Sequence, residues 1–360
     1  METTLVAFAA FAAVSSYAGV TIDGLFDAGY QSNSLQGVRV SGIEGNGAGT
    51  SQFNLRGTED LGGGLSSSFH LETDFSSVSN AANTGSMFSP NTASVGSNQN
   101  NGAAGRFGNG EIAVGVKGGF GQVQFGAINN AGLEFVAQVA PVFGTALGGG
   151  YGATIGANTG FNAVRWANSV RYDTPIISGF QASYIYAAKQ NYTTTTNYNA
   201  GMGYNNVAGA QELSARYTAG PLKLLFVNSM TLGTGGTNDT QRDFGVSYNI
   251  SDAWAVQAGA QNTQLNSTGV TTNGRVVGTV YTMGQNRLLA NVNTLSNATN
   301  TANQVGLGYD YLLSKTTKVY FRSDRLTDAN SVSFATSAGL IGNSGGKSFT
   351  KNAVGVRVDF

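Results

Sequence analysis

A short glycine turn joins two alternating segments within residues 51–76, and the same unit recurs along the chain. On the first segment Phe53 and Leu55 fall on one parity, while Arg56 and uncharged polar residues fall on the other. The polar parity of the second segment carries three titratable residues, His70, Glu72 and Asp74. Successive strand residues point to opposite faces of a sheet, so both segments predict strands with one apolar and one polar face. Strands of about ten residues joined by tight turns are typical of a membrane-spanning barrel, whereas sandwich strands are usually shorter.

The alternating pattern predicts sixteen strands, joined in turn by short turns and long external connections; the long connections include residues 32–49, 129–167, 266–274 and 296–303. The predicted strands cover residues 20–30, a pair within 51–76, 111–119, 121–128, 168–174, 179–189, 210–219, 222–231, 241–250, 254–265, 275–283, 286–295, 304–313, 317–326 and 347–360. Because lipid cannot satisfy the backbone of an open sheet edge, the first strand must pair with the last. We therefore predict an all-β fold, a 16-stranded antiparallel transmembrane β-barrel with short periplasmic turns and long external loops.

The composition supports this class and argues against others. Only 11% of the residues are charged and 52 are glycine, which is unusual for a soluble enzyme. Beyond the N-terminus there is no run of 18 apolar residues, so no spanning helix is predicted. The 20 phenylalanines and 15 tyrosines are too many for a disordered chain and suit aromatic girdles. The formal net charge of zero does not indicate a nucleic-acid partner.

The N-terminus predicts a signal peptide. Residues 5–14 are apolar, and in the following Ser16-Tyr17-Ala18 the serine and the alanine are small residues at the positions that a signal peptidase reads. We expect cleavage after Ala18, which leaves residues 19–360 as a single barrel domain. Residues 1–4 contain no lysine or arginine, so an apolar N-terminal strand is the alternative.

Four short motifs resemble the trimeric general porins of β-proteobacterial outer membranes. They are LRGTEDLGGGL at residues 55–65, FGQVQFG at 120–126, NSVRYDTPIISGF at 168–180 and AVGVRVDF at 353–360. The resemblance implies a homotrimeric outer-membrane channel for ions and small hydrophilic solutes, without cofactor or catalysis. It also implies contact with outer-membrane lipid and lipopolysaccharide. Phe360 would be the signal by which the barrel-assembly machinery recognises the chain.

The longest connection, residues 129–167, is more apolar than the others. Within it, five apolar residues have the spacing of a short amphipathic helix: Leu133, Val136, Val139, Val142 and Phe143. Between residues 128 and 164 the only charged residue is Glu134. In the porins that this chain resembles, the third long loop folds inward and narrows the pore, so residues 129–167 are the expected constriction loop. An external loop used for trimer contact is the alternative.

Four cations fall on the inward parity of the predicted strands, Arg56, Lys117, Arg165 and Arg171, together with Glu72, Asp74 and Asp173. One carboxylate, Glu134, facing several cations in a water-filled neck gives only a modest field, so we expect weak charge selectivity. Anion-selective relatives carry arginine at two positions that are Gln52 and Ala127 here, so the resemblance does not extend to strong anion selectivity. The alternative is that these cations line the lumen without a selectivity role.

Other classes of function have less support. An outer-membrane hydrolase would need a Ser-His or Asp-His set, and the sole histidine, His70, falls on the inward face. One histidine near Glu72 and Asp74 does not make a metal site without ligands from elsewhere. A substrate-specific channel would carry an aromatic track along the lumen, whereas Phe and Tyr fall mostly on the outward parity. An adhesin barrel of fewer strands would conduct little. We therefore predict a general diffusion porin.

Overall fold

A computed structural model describes the barrel and part of its connections. The described residues are 19–35, 38–75, 77–78, 108, 110–142, 165–188, 209–232, 238–266, 269–299, 301–328 and 349–360. The predicted signal peptide, residues 1–18, lies outside them, as do residues 143–164 of the predicted constriction loop. Among the described residues, no helix is both long and apolar enough to cross a membrane.

The described part of the chain forms seventeen strands and one helix. In chain order they are β1 (Gly19–Leu35), β2 (Val38–Gly45), β3 (Gln52–Gly62), β4 (Leu65–Asp74), β5 (Ile112–Gly118), β6 (Gly121–Asn129), α1 (Ala131–Val139), β7 (Arg165–Asp173), β8 (Phe180–Ala187), β9 (Ala210–Ala219), β10 (Leu222–Leu232), β11 (Asn238–Asn249), β12 (Trp254–Leu265), β13 (Val270–Met283), β14 (Asn286–Ser296), β15 (Thr301–Leu312), β16 (Thr317–Asp328) and β17 (Phe349–Asp359).

The strands form one closed antiparallel sheet. Each strand from β3 to β17 pairs with its neighbours in sequence, and β17 pairs back with β1. On its other side, β1 pairs with β2 through residues 28–35 and with β3 through residues 19–25. Strands β2 and β3 therefore share one position in the ring. The seventeen segments occupy sixteen positions, which confirms the predicted 16-stranded barrel.

The apolar parity of the strands points outward. On β1, Val20, Ile22 and Phe26 are more than half exposed, whereas Asp27 and Gln31 are buried on the opposite face. A soluble protein would bury the first set and expose the second. The arrangement places an apolar surface toward lipid and a polar surface toward the barrel interior, the lumen, as the alternation predicts.

The prediction of a first external loop over residues 32–49 is wrong. Strand β1 continues to Leu35, and β2 returns antiparallel to it with Arg39 opposite Ser34 and Ile43 opposite Tyr30. Glu44, which the sequence placed in that loop, is fully buried in β2. The error arises because glycine and serine interrupt the apolar alternation, although the ladder still provides partners for the backbone of this segment.

Other strands also extend past their predicted ends. Strand β13 begins at Val270 and β15 at Thr301, so about half of the residues in the connections predicted over 266–274 and 296–303 are strand. Thr and Asn are the commonest residues of these extensions, and their polarity suits strands that rise above the apolar band. Polar composition therefore overestimated the length of the loops.

Candidate functional site

Helix α1 lies inside the barrel. It follows β6 directly and packs on the lumen side of β10, β11, β12 and β13. Phe135, Val136 and Val139 are completely buried in a cluster with Leu225 and Val227 of β10. The predicted amphipathic helix is therefore present, and the described part of the loop folds inward rather than over the external rim. Phe143 and the remaining residues of the predicted loop lie outside the described residues.

The wall beneath the helix includes glycines on the lumen face. A Cβ atom at Gly259 would lie 3.0 Å from the Phe135 ring and 3.1 Å from Val139 Cγ1. At Gly245 it would lie 3.1 Å from the same Val139 atom. Any side chain at these positions would push the helix toward the pore axis. Sequence reasoning missed this groove, although inward-facing glycine on adjacent strands, together with inward Leu225 and Val227, was a readable signal.

Both ends of the inward segment are fixed to the wall. The buried Glu212 carboxylate accepts a hydrogen bond from the Ala131 N–H at 2.6 Å and from the Ser229 hydroxyl at 2.7 Å. A carboxylate at this position also complements the positive end of the helix dipole. The Asn130 side chain caps the helix by accepting from the Leu133 N–H at 3.1 Å. Beyond the helix, the Val142 N–H donates to Asn291 Oδ1 of β14 at 3.1 Å.

Glu134 projects from α1 and pairs with Arg216 of β9. Arg216 Nε lies 2.7 Å from Glu134 Oε1 and 2.8 Å from Oε2, and Nη2 donates to Oε2 as well. Arg216 Nη1 donates to the Ser183 hydroxyl at 2.6 Å. The Glu134 side chain is 45% exposed and that of Arg216 is 16% exposed, so the pair faces the water-filled interior. Sequence reasoning did not single out Arg216, although it shares the inward parity of Glu212 and Ser214.

The four predicted lumen cations lie elsewhere on the wall. Arg56 pairs with Asp23 at 2.9 Å, and Arg171 pairs with Asp173 at 2.8 Å. Lys117 is exposed near the short-turn end of β5. Within the described part of the chain, none of the four cations pairs with Glu134. Arg56, Arg165 and Arg171 thus pair with carboxylates of the wall, and the partner of Glu134 is a different arginine.

Three of the predicted site residues do lie together, with Arg165 at their centre. Its Nη2 atom lies 2.6 Å from Glu72 Oε1 and 3.7 Å from Asp74 Oδ2, and the Arg165 and Glu72 side chains are less than 10% exposed. Arg165 begins β7, where the chain returns from the inward loop, so this cluster fixes the second base of the loop. Its burial favours a structural role over direct contact with permeating ions.

His70 supports the first base of the loop. Its Nδ1 atom lies 3.0 Å from Glu111 Oε2, and its Nε2 atom lies 3.0 Å from Asn54 Oδ1. The other oxygen of Glu111 accepts from the Asn129 N–H at 3.0 Å. His70 therefore takes part in a chain of contacts that ends at the residue before the N-cap of α1. Among the described residues, no group of three His, Cys, Asp or Glu could hold a metal ion.

A closed barrel with an apolar exterior, a charged lumen and an inward helix defines a transmembrane channel. The family model for Gram-negative porins matches residues 3–330, and the chain belongs to that family. It is therefore a passive channel of the bacterial outer membrane and not an enzyme. The predicted family, class and location are confirmed.

Individual relatives agree with the family. Outer membrane porin protein 32 of Delftia acidovorans is 27% identical over 341 residues, covering 89% of this chain and 88% of that protein. An outer membrane porin of Bordetella pertussis is 31% identical over 180 residues, which span 48% of this chain and only 40% of that protein.

Solved structures share the fold. An anion-selective porin from Comamonas acidovorans matches with a TM-score of 0.71 and 24% identity over 95% of this chain and all of that chain. The trimer form of OmpT from Vibrio cholerae matches with a TM-score of 0.62 and 14% identity, covering 95% of this chain and 99% of that one.

Proposed function

We propose that this chain is a general diffusion porin whose narrowest passage is formed by residues 131–142 against the opposite wall. The observation that carries the proposal is the ion pair between Glu134, whose side chain is 45% exposed, and Arg216 of β9, on a helical segment that is fixed to the lumen wall at both ends. Because the two charges at the surface of this passage compensate each other, small hydrophilic solutes pass according to their size. Selection by charge is then secondary.

Charge pairing supports weak selectivity. The Glu134–Arg216, Arg171–Asp173 and Arg165–Glu72 pairs each place opposite charges within 3 Å. From the middle of a wet pore such pairs act as small dipoles, since water and salt screen them over about 8–10 Å. Gln52 and Ala127 add no positive charge. The anion selectivity for which the Comamonas porin is named therefore does not transfer to this chain.

A substrate-specific channel is the second candidate, and the position of the aromatic residues argues against it. Among the described strand residues, the exposed Phe and Tyr side chains lie on the outward parity, for example Phe26, Tyr30, Phe125 and Phe180. Tyr320 points inward but is buried at 2% exposure. A track of stacked aromatic rings, along which a sugar could slide, has no support in the described part of the lumen.

Assembly follows the resembled family in this proposal. The signal peptide, residues 1–18, is removed, and the barrel-assembly machinery recognises Phe360 and inserts a homotrimer among outer-membrane lipid and lipopolysaccharide. Phe360 and Gly24 exchange two backbone hydrogen bonds of 3.1 Å, and the Phe360 ring centroid lies 5.8 Å from that of Phe26. The last residue therefore contributes to the closing seam of the barrel, which supports a role in assembly.

Conductance in planar bilayers tests the channel proposal. The purified protein should show large, steady, nearly ohmic steps, with up to three equal steps per insertion if it is a trimer. Neutral polymers of increasing size should stop entering the pore at a sharp limit. Saturable block of the current by one sugar or amino acid would instead support a substrate-specific channel.

A further inference from the structure

Four arginines lie on the lipid-facing side of the barrel, where charge is costly. They are Arg39, Arg242, Arg275 and Arg325, and each is exposed. Each falls on the outward parity, in the half of its strand that is farther from the short periplasmic turns. Among the described residues of that half, no carboxylate shares the outward parity. A charged group that faces lipid is destabilising unless it lies near the interface. This set of arginines, without carboxylates on the same face, therefore needs an anionic ligand or a lipid headgroup.

Two of the four arginines flank a cleft on the outer surface of β10 to β13. The cleft has a volume of about 270 Å³, and Arg242, Arg275, Phe226 and Phe244 contribute to its lining. Arg242 lies opposite Asn262, and Arg275 lies opposite Ala260, so the two arginines are two strands apart. Because Ala260 is two residues from Asn262, the arginines are also offset along the strands by about 7 Å, and with two strand spacings of about 4.8 Å their backbones lie roughly 12 Å apart.

Amide side chains complete the polar part of this cleft. Arg242 Nε donates to Asn228 Oδ1 at 3.4 Å, and Asn262 Nδ2 donates to Asn273 Oδ1 at 2.9 Å. In the described part of the chain, neither Arg242 nor Arg275 forms an ion pair with a carboxylate. Both guanidinium groups therefore retain donors for an external acceptor, and phosphate is the acceptor that arginine binds best in bidentate geometry.

The apolar part of the cleft continues toward the centre of the membrane. Phe244 and Phe226 are paired across β10 and β11, two residues below the level of Arg242, and are 50% and 41% exposed. Arg275 shares the register of Phe244 through Ala260. Arg242 lies two residues, about 7 Å, further toward the external rim, so on β11 a cationic surface precedes the aromatic one. This order matches an amphiphile with phosphate at the external rim and acyl chains beneath it.

From this arrangement we infer that the cleft between Arg242 and Arg275 is a binding site for a phosphorylated glycolipid of the outer leaflet. The arginine pair binds its phosphate, and Phe226 and Phe244 contact its first acyl segment. The inference rests on the proposed contact with lipopolysaccharide and assigns it to particular residues. Lipid of the inner leaflet is excluded by position, because the arginines lie in the external half of their strands.

Native mass spectrometry of the detergent-purified protein tests the site. The probes are diphosphoryl lipid A and the same lipid after removal of its phosphates. The variants are Arg275→Gln, the double variant Arg242→Gln/Arg275→Gln, and a control, Lys315→Gln, which removes an exposed cation at the opposite, short-turn end. The wild type and the control should bind the diphosphoryl form about tenfold more tightly than the dephosphorylated form, because each charge-assisted hydrogen bond contributes measurably. The single variant should reduce this preference, and the double variant should abolish it.

Several outcomes would overturn the inference. Equal binding of the two lipids by the wild type would do so, as would undiminished preference in the double variant. Displacement of lipid A by millimolar inorganic phosphate would mark a simple anion site instead. Loss of trimer in the double variant, without loss of lipid, would make this face a subunit contact. Single-channel conductance should be unchanged in all variants, so failure here is distinguishable from failure of the proposed channel.

Discussion

Replacing Glu134 with glutamine should move the ion preference of the pore toward anions. The substitution keeps the size of the side chain and removes the carboxylate that pairs with Arg216 from the helix side of the pore. Arg216 then presents an uncompensated positive charge to the narrow passage. Its hydrogen bond to Ser183 at 2.6 Å holds the guanidinium in place, so the charge remains at the same point of the wall.

The size of the effect follows from Coulomb's law. A unit charge about 5 Å from an ion interacts with it by roughly 0.8 kcal/mol in water, which changes the local ion concentration about fourfold. At low ionic strength the Debye length is about 30 Å, so this interaction survives across the neck. The reversal potential under a tenfold KCl gradient should therefore shift toward anions by roughly 20 mV. At molar salt the shift should nearly vanish.

The matched control is Asp359→Asn. Asp359 pairs with Arg357 at 2.7 Å, and the two side chains are 39% and 24% exposed, much like Glu134 and Arg216. This pair lies on the lumen parity near the short-turn end of β17, away from α1. Its neutralisation should shift the reversal potential by only a small fraction of the Glu134→Gln effect. Equal shifts, or a larger one for Asp359→Asn, would refute the placement of the narrow passage at α1.

Three further substitutions test the support of the passage and the assembly of the barrel. Gly259→Leu places a side chain where Phe135 and Val139 pack, so it should lower single-channel conductance and increase current noise, whereas Ala258→Leu on the outward face of the same strand should conduct like the wild type. Glu212→Ala removes the acceptor of the Ala131 N–H and of the Ser229 hydroxyl, at a cost of about 1–3 kcal/mol locally, and should produce flickering conductance in an otherwise stable barrel, while steady current would contradict the anchoring role. Phe360→Ala should sharply reduce heat-modifiable trimer recovered from outer membranes, whereas Val356→Ala, on the same outward row, should have a smaller effect; unchanged yield for Phe360→Ala would argue against the assembly signal.

The barrel itself was predictable because its strands obey one rule. Lipid outside and water inside require alternation of apolar and polar residues, and Val20, Ile22 and Phe26 lie on the apolar parity. The helix was predictable too, because the spacing of Val136 and Val139 places both side chains on one helical face, and a solvated loop would leave these apolar side chains in water. Both features depend on whether a side chain faces lipid, water or protein, and the local pattern of apolar and polar residues indicates this.

Contacts between distant segments could not be read in the same way. The partner of Glu134 is Arg216, which lies 82 positions further along the chain, and parity alone cannot say which inward cation the helix will face. The prediction of a loop in place of the end of β1 and β2 failed for a different reason. The backbone ladder between β1 and β2 forms even though glycine and serine interrupt the apolar alternation there, so the sequence pattern predicted a loop.

The most direct test of the account introduces one cysteine into a chain that has none. If α1 lines the narrow passage, the Glu134→Cys protein should react with a membrane-impermeant, negatively charged methanethiosulfonate reagent, and each reaction should lower the conductance of one pore in a discrete step. A cysteine at Asp252, in the turn between β11 and β12, should react with little change in current. Full reaction of Glu134→Cys with unaltered conductance would contradict the central claim that this helix narrows the pore.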